Sequence, residues 1–405
     1  MHDESAAPGG EAASAANEFQ PTQPRASDGA QRLAIEFTGS GSEYFRIWLV
    51  NLLLTIVTLG FYHPFAKARR LSYFHSNTVV GGEALGFHGN PWKMLRGYLL
   101  MLLFGIAYGV SSRFSPPAAM AAAAAFVLLW PALWRASLQF RLGNTSWRGL
   151  RFGFSGGLGG AYLAMLPAFA PWVGFIAFAW LMPQPGAEAV EPPTVDPRVV
   201  WLLGLSLLGG MALMPLSLAW VKRYQHGHYV YAGQRSRLEA GTGEFYFYAL
   251  KLFGVGLLAG MASAIFMGVG FAATAVIGRK DLGFAVGMAA VVAGYAFYFV
   301  VLLPFAQSRL QNLVWGHTRS EALQCRSALR LLPLGWLTLK NLMLTVLTLG
   351  LYWPFAAVAT ARMKLQAVAL DAEGDIEHWS AGADRSTQDA TGDAAGDFFG
   401  IDLGL

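Results

Sequence analysis

Eight stretches of this 405-residue chain contain no Asp, Glu, Lys or Arg: 47–66, 97–112, 114–134, 152–187, 199–221, 252–278, 282–308 and 341–361. A helix needs roughly 20 apolar residues to cross a hydrocarbon core, with about 17 as the lower limit. Most of the runs reach that length. The 97–112 run is slightly short, but Arg96 and Arg113 beside it can snorkel to the interfaces. Residues 152–187 hold one helix, ending near Leu181 ahead of the loop signals Pro183 and Pro185. Only 13% of residues are charged, against about 25% in soluble domains. The body therefore reads as a polytopic helical membrane protein, not a soluble enzyme or a nucleic-acid-binding arm. Residues 1–30 show no basic segment followed by an apolar one, so a cleavable signal peptide is not expected. The single cysteine, Cys325, excludes a disulfide framework and any Cys-based zinc or iron–sulfur site.

The net charge of +5 is unevenly spread. Residues 1–36 hold two basic and six acidic residues, and residues 366–405 hold one basic and nine acidic. Residues 37–365 hold 26 basic against nine acidic, a net +17. Both ends are rich in Ala, Gly, Ser, Asp and Glu and are expected to be disordered tails, 1–36 and 366–405, around a membrane domain over 37–365. Within that domain Lys and Arg collect in alternate links. Lys67, Arg69 and Arg70 follow the first run, Arg135 and Arg141 the third, Lys222 and Arg223 the fifth, and Arg309 and Arg319 the seventh. The positive-inside rule makes these links cytoplasmic. Lys67, Arg69, Arg70, Arg135, Lys222, Arg223 and Arg309 are then placed to meet anionic lipid headgroups. Nucleic acid is not expected as a partner.

The chain also repeats itself. Residues 51–66, NLLLTIVTLGFYHPFA, match 341–356, NLMLTVLTLGLYWPFA, at eleven of sixteen positions. Asn, Gly, Tyr and Pro recur in register, which a leucine-rich composition alone does not produce. Thirteen residues after Pro64, Pro131, Pro215 and Pro304 stand Asn77-Thr78, Asn144-Thr145, His228-Tyr229 and His317-Thr318. Phe37-Thr38-Gly39, Phe87-His88-Gly89 and Phe154-Ser155-Gly156 form another recurring segment. Gly81-Gly82 and Arg148-Gly149 each separate short apolar pieces, so short cytoplasmic β-hairpins are expected there, with edges that need partners.

The expected fold class is an all-α polytopic membrane protein with six spanning helices and pseudo-repeats. Its terminal segments are broken at Gly60–Pro64 and Gly350–Pro354 and either span or re-enter. Eight spans with basic links inside place both tails outside, whereas re-entrant ends place both inside. The re-entrant form is preferred, because the Phe37 segment resembles two segments read as cytoplasmic. Broken backbone at membrane depth requires cover by protein or a water-filled cavity.

The stretch from Asn51 to Thr78, NLLLTIVTLGFYHPFAKARRLSYFHSNT, resembles the signature of the YjgN family of bacterial inner-membrane proteins. The closing copy from Asn341 to Phe355, and the pieces Asn144-Thr145 and Phe152-Gly153-Phe154, are similar to that family too. The resemblance covers roughly residues 33–370. It implies a bacterial cytoplasmic-membrane location. The family has no established activity, so no catalytic residue carries over. The two copies depart from each other at His63 and Trp353, and Ala359 and Thr360 stand opposite Arg69 and Arg70.

Asn51 with Thr55, and Asn341 with Thr345, lie one helical turn apart in apolar helices. One reading is polar glue between the terminal elements, each interhelical hydrogen bond contributing about 0.6–2 kcal/mol. The other is a pseudo-symmetric pair lining a solute path, with helix breaks at Gly60, Tyr62, His63, Pro64 and at Gly350, Tyr352, Pro354. His63 reads as an interfacial anchor in preference to a proton relay, since Trp353 takes its place in the second copy. His226 and His228 lack acidic or thiol partners at ligand spacing, so neither metal nor cofactor is expected. No Ser-His-Asp arrangement, paired intramembrane carboxylates or phosphate loop is visible, so the chain is not expected to be an enzyme. Two classes remain. A transporter or channel-like protein for a small solute or ion fits the broken terminal helices. A non-transporting scaffold, binding anionic lipid or partner proteins through its basic face, fits the lack of charge at membrane centre. Homo-oligomerisation is left open by the sequence.

Overall fold

The computed structural model describes residues 30–181, 197–277 and 279–373. The chain opens with β1 (Ala30–Phe37) and the helices α1 (Gly41–Val57) and α2 (His63–Ser76), followed by β2 (Thr78–Val80), β3 (Glu83–Ala84) and β4 (Gly86–Phe87). Next come α3 (Pro91–Phe114) and α4 (Pro116–Gly143), then β5 (Thr145–Trp147), β6 (Leu150–Arg151) and β7 (Gly153–Phe154). The third pair is α5 (Leu158–Leu181) and α6 (Pro197–His226), with β8 (Tyr229–Tyr231), β9 (Gln234–Arg235) and β10 (Arg237–Leu238). The fourth is α7 (Thr242–Ile277) and α8 (Lys280–Gly316), with β11 (Thr318–Arg319) and β12 (Leu323–Ser327). The chain closes with α9 (Leu331–Leu347), α10 (Trp353–Gln366) and β13 (Val368–Glu373).

Short polar signals set the helix ends. Ser40 and Glu43 form a capping box on α1, each side chain accepting the other's backbone N–H. Asn90 and Ser115 cap α3 and α4, which carry proline in their first turns, where a missing N–H costs nothing. At the far ends, the amides of Asn77 and Asn144 donate to the carbonyls of Tyr73 and Phe140, both at 2.8 Å. The hydroxyls of Thr78, Thr145 and Thr318 donate to Phe74, Arg141 and Val314. The recurring polar residues thus satisfy carbonyls that a helix C-terminus leaves unpaired.

Between α1 and α2 the Thr-Leu-Gly-x-Tyr motif makes a tight turn. The Thr58 hydroxyl donates to the Leu54 carbonyl at 2.7 Å and accepts the Tyr62 N–H at 2.9 Å. Leu59 and Gly60 have φ of 50° and 94°, the left-handed region that glycine alone tolerates freely. Thr348, Leu349, Gly350 and Tyr352 repeat this geometry between α9 and α10. Pro64 and Pro354 stand in the first turns of α2 and α10, whereas α4, α6 and α8 run through Pro131, Pro215 and Pro304. The terminal pairs are therefore the shorter ones.

Five helices of the described residues, α3, α4, α6, α7 and α8, are long and apolar enough to cross a membrane, and α5 contains a further apolar stretch over Leu158–Gly174. Their outer faces expose side chains such as Leu103, Leu208, Leu258, Ile265 and Val292, each more than 60% accessible. A continuous apolar surface of this kind needs hydrocarbon around it. Successive helices pack on one another in chain order, and α10 returns to α1, so the ten helices of the described residues form a closed ring.

The strands form a second ring at one end of the helices. β3–β4, β6–β7 and β9–β10 are single segments bent at Leu85, Phe152 and Ser236. Their first halves pair back on β2, β5 and β8, and their second halves pair forward with β5, β8 and β11. β12 pairs with β11 and β13, and β13 pairs with β1 from Ala30↔Glu373 to Ala34↔Ala369. β1 also pairs with β2, which completes the circuit. All pairs are antiparallel. Two expectations are corrected here. The fold is not all-α, because strands from separate units pair with each other and leave few open edges. The tails also begin further out than composition suggested: Ala30–Phe37 and Val368–Glu373 are strands, ordered by backbone pairing that composition does not register. The rest of both tails lies outside the described residues.

Leu33, Val80, Trp147, Leu150, Tyr231 and Ala372 pack as one buried cluster inside the strand ring. The Trp147 indole N–H donates to the Val80 carbonyl at 3.1 Å, and the Tyr231 hydroxyl donates to the Trp147 carbonyl at 3.0 Å. These bonds join three consecutive units across the interior. Cys325 is buried in β12 and burial pushes its thiol up to about 12, which leaves it unreactive.

A candidate cationic vestibule

A cavity of about 800 Å³ lies among α1, α2, the last turn of α4 and the first turn of α10. Tyr44, Trp48, Asn51 and Thr55 line it from α1, and His63, Lys67 and Arg70 from α2. Arg141 enters from α4 and Trp353 from α10. Among the described residues, no Asp or Glu is in the lining. The Arg70 guanidinium lies over the rings of Trp353 and Phe74 at 5.6 and 5.9 Å. Such stacking holds a cation in place without neutralising it. Lys67, Arg70 and Arg141 thus bring three basic side chains into one partly closed space, a setting that attracts anions. Its volume falls within the range of small-molecule sites.

Five residues that the sequence singled out for separate reasons, Asn51, Thr55, His63, Lys67 and Arg70, meet in this one cavity. Asn51 is 7% exposed. Its amide donates to the Ala66 carbonyl of α2 at 3.4 Å, and its Oδ1 has no hydrogen-bond partner among the described residues. An unsatisfied buried carbonyl of this kind is costly, and the Oδ1 of Asn341 in the closing pair is left in the same state among the described residues. Thr55 donates to its own helix, at the Asn51 carbonyl, 2.7 Å away. Asn51 therefore joins α1 to α2 within one pair and does not bridge the two terminal elements. Asn341 does the same in the closing pair, donating to Ala356 and Thr360 at 3.4 and 3.2 Å, and Thr345 is half-buried on α9. Ala357 and Thr360 stand there where the first pair has Lys67 and Arg70, so the closing copy lacks the cations. The break motifs provide backbone geometry and aromatic walls. Tyr62 stacks on Phe65 and Tyr352 on Phe355, while the His63 ring lies 5.9 Å from that of Tyr98.

The remaining basic residues divide by partner. Arg69 and Arg309 are exposed and lie over Tyr62 and Phe305. Arg135 donates to the Gly156 carbonyl at 2.7 Å and Arg223 to the Ala240 carbonyl at 3.1 Å. Both fasten one unit to the turn that opens the next, which is a structural role. Asn312 and Arg362 act alike, donating to Leu329 at 3.0 Å and Gly39 at 2.7 Å. Lys222 donates to Gln225 at 3.1 Å. His226 and His228 have separate partners, Thr318 at 3.3 Å and the Tyr224 carbonyl at 2.8 Å. The sequence reading did not single out Arg141 for the cavity. A signal existed: Arg141 stands three residues before Asn144, as the cavity residue Phe74 stands three before Asn77.

The family described as "Bacterial protein of unknown function (DUF898)" matches residues 32–398. The inner membrane protein YjgN of Escherichia coli strain K12 is 25% identical over 191 residues, 45% of this chain and 48% of that protein. YjgN of Salmonella typhimurium strain LT2 is 28% identical over 119 residues, 29% of this chain and 30% of that protein. The matched stretches thus span less than half the length of these curated relatives. No solved structure matches the chain. With its apolar helices and inner-membrane relatives, the protein resides in the bacterial inner membrane. The match over most of the chain makes it a member of the DUF898 family, to which the YjgN inner-membrane proteins are related.

Proposed function

We propose that the protein is a multi-pass transporter-class protein that binds a small anion in the vestibule, and that it carries out no covalent chemistry. In this reading α3–α8 are six spanning helices. The α1–α2 and α9–α10 pairs re-enter from the strand-ring side, which faces the cytoplasm. Helix length supports this: 17 residues in α1 and 14 in α2 extend only about 25 and 21 Å, short of a hydrocarbon core of about 30 Å. Leu59 and Leu349 at the tips are 89% and 94% exposed, and such side chains favour lipid over water. Exposed Arg69 and Arg309 then sit at the level of anionic headgroups. A reporter enzyme active only in the periplasm, fused after Leu405, is expected to be silent; activity would overturn the re-entrant arrangement.

The observation that carries the functional reading is the meeting of Lys67, Arg70 and Arg141 in one cavity with no carboxylate among its described lining residues. Purified protein in liposomes is expected to take up at least one of chloride, phosphate or a small carboxylate. Lys67→Gln and Arg70→Gln should each slow that uptake tenfold or more, while Arg69→Gln, outside the cavity, leaves it unchanged. Absence of flux for the whole panel, with normal folding, supports the scaffold reading instead. One feature favours that second reading: the cluster around Trp147 and Tyr231 packs across part of the strand-ring interior, on the axis a solute path through the ring would take.

A further inference from the structure

The strand ring encloses a second cavity, of about 440 Å³, which the vestibule reading does not use. Every one of the five helix–strand units contributes to its wall. Trp147, Phe152, Tyr231, Trp315, Leu365 and Leu370 make most of the lining apolar. Closed strand assemblies with an unfilled apolar interior are a recurrent setting for small apolar ligands. Water gains little in such a space, because it needs two to four polar partners. Here several polar side chains of the wall are already engaged: Gln234 accepts from Ser320 and the Ala322 N–H, Thr318 donates to Val314, and Ser236 donates to the His226 carbonyl.

Lys364 is the exception. It is half-buried in the wall, and no carboxylate lies within ion-pair distance of its ammonium among the described residues. The other cation of the wall, Arg319, pairs with Glu239. An apolar chamber with a basic side chain at its helix end, and no carboxylate paired to that side chain among the described residues, matches a molecule that is apolar over most of its surface and negative at one end. We propose that this chamber binds a single-chain amphiphile with an anionic head, the acyl chain lying among Trp147, Tyr231 and Leu370 and the head at Lys364. The site is separate from the vestibule, and its occupancy does not depend on transport.

The test uses a 16-carbon fatty acid bearing a photoreactive group near its methyl end, added to inverted membrane vesicles containing the full-length protein. Mapped adducts are expected on the Trp147 and Leu370 peptides. Leu370→Trp, which fills the chamber, should reduce them tenfold or more. Lys364→Met, which preserves the volume, should reduce them at least fivefold. Palmitate or a palmitoyl lysophospholipid with an acidic head should compete, and the better competitor identifies the head group. Hexadecanol should not compete. Three results would each overturn the proposal: adducts confined to the outer faces of the membrane helices, labelling unchanged in Lys364→Met, or competition by hexadecanol equal to that by palmitate. Lys67→Gln and Arg70→Gln should leave the labelling intact, so failure here is distinguishable from failure of the vestibule reading.

Discussion

Trp147→Ala is expected to destabilise the protein by about 3–5 kcal/mol, the usual cost of deleting a buried aromatic side chain. Trp147 is 2% exposed at the centre of the strand ring, with its ring centroid 5.3 Å from that of Tyr231. Truncation opens a void among residues drawn from four units, which cannot all relax toward it at once. It also leaves the Val80 carbonyl without the indole donor. Trp147→Phe separates the two losses. It retains most of the packing and removes only the N–H, a change worth about 1 kcal/mol. Thermal melting followed by size-exclusion chromatography in detergent should rank wild type above Trp147→Phe, and that variant well above Trp147→Ala. If Trp147→Ala melts with wild type, the ring interior does not contribute to the fold as described.

The membrane body and the family were readable in the sequence because both depend on features that occupy long windows. A run of twenty uncharged residues and a sixteen-residue repeat survive local exceptions. The strand ring was mostly not readable. β3, β4, β6, β7, β9, β10 and β11 are two residues long, too short for any alternation to register. Their pairing is imposed by the helix ends that present them, not by local propensity. The basic residues show the same limit at finer scale. Arg135 and Arg141 share one link and look equivalent by charge, but six residues of helix turn about 240°. One arginine consequently reaches the Gly156 turn and the other the vestibule. Arg69 and Arg70, adjacent in sequence, diverge in the same way. The counts needed to assign helix phase were available, but the direction of the axis was not, because it depends on the tenth helix returning to the first.

That return is the most consequential feature of the fold, and it yields the second large effect. Ala34 and Ala369 lie directly opposite each other in the β1–β13 ladder although 335 positions separate them. Opposed antiparallel residues have Cα atoms about 4.5–5.5 Å apart, within the span of a disulfide. In a Cys325→Ser background, Ala34→Cys with Ala369→Cys should form a bond nearly quantitatively on mild oxidation. With a protease site inserted between residues 182 and 196, the two halves of the cut chain should then stay joined on a non-reducing gel and separate on reduction. A control pair, Ala34→Cys with Ser320→Cys, is not opposed in the ladder and should leave the halves separate. Arg362→Ala tests the same junction from the helix side. Its guanidinium donates to the Gly39 carbonyl at 2.7 Å, and losing a charge-assisted bond of this kind costs about 1.5–3 kcal/mol. Separation of the halves in the Ala34→Cys, Ala369→Cys protein would mean that the chain ends do not meet. β1 and β13 would then be open edges, and the ring of helices would lose the connection that makes its first and last members neighbours.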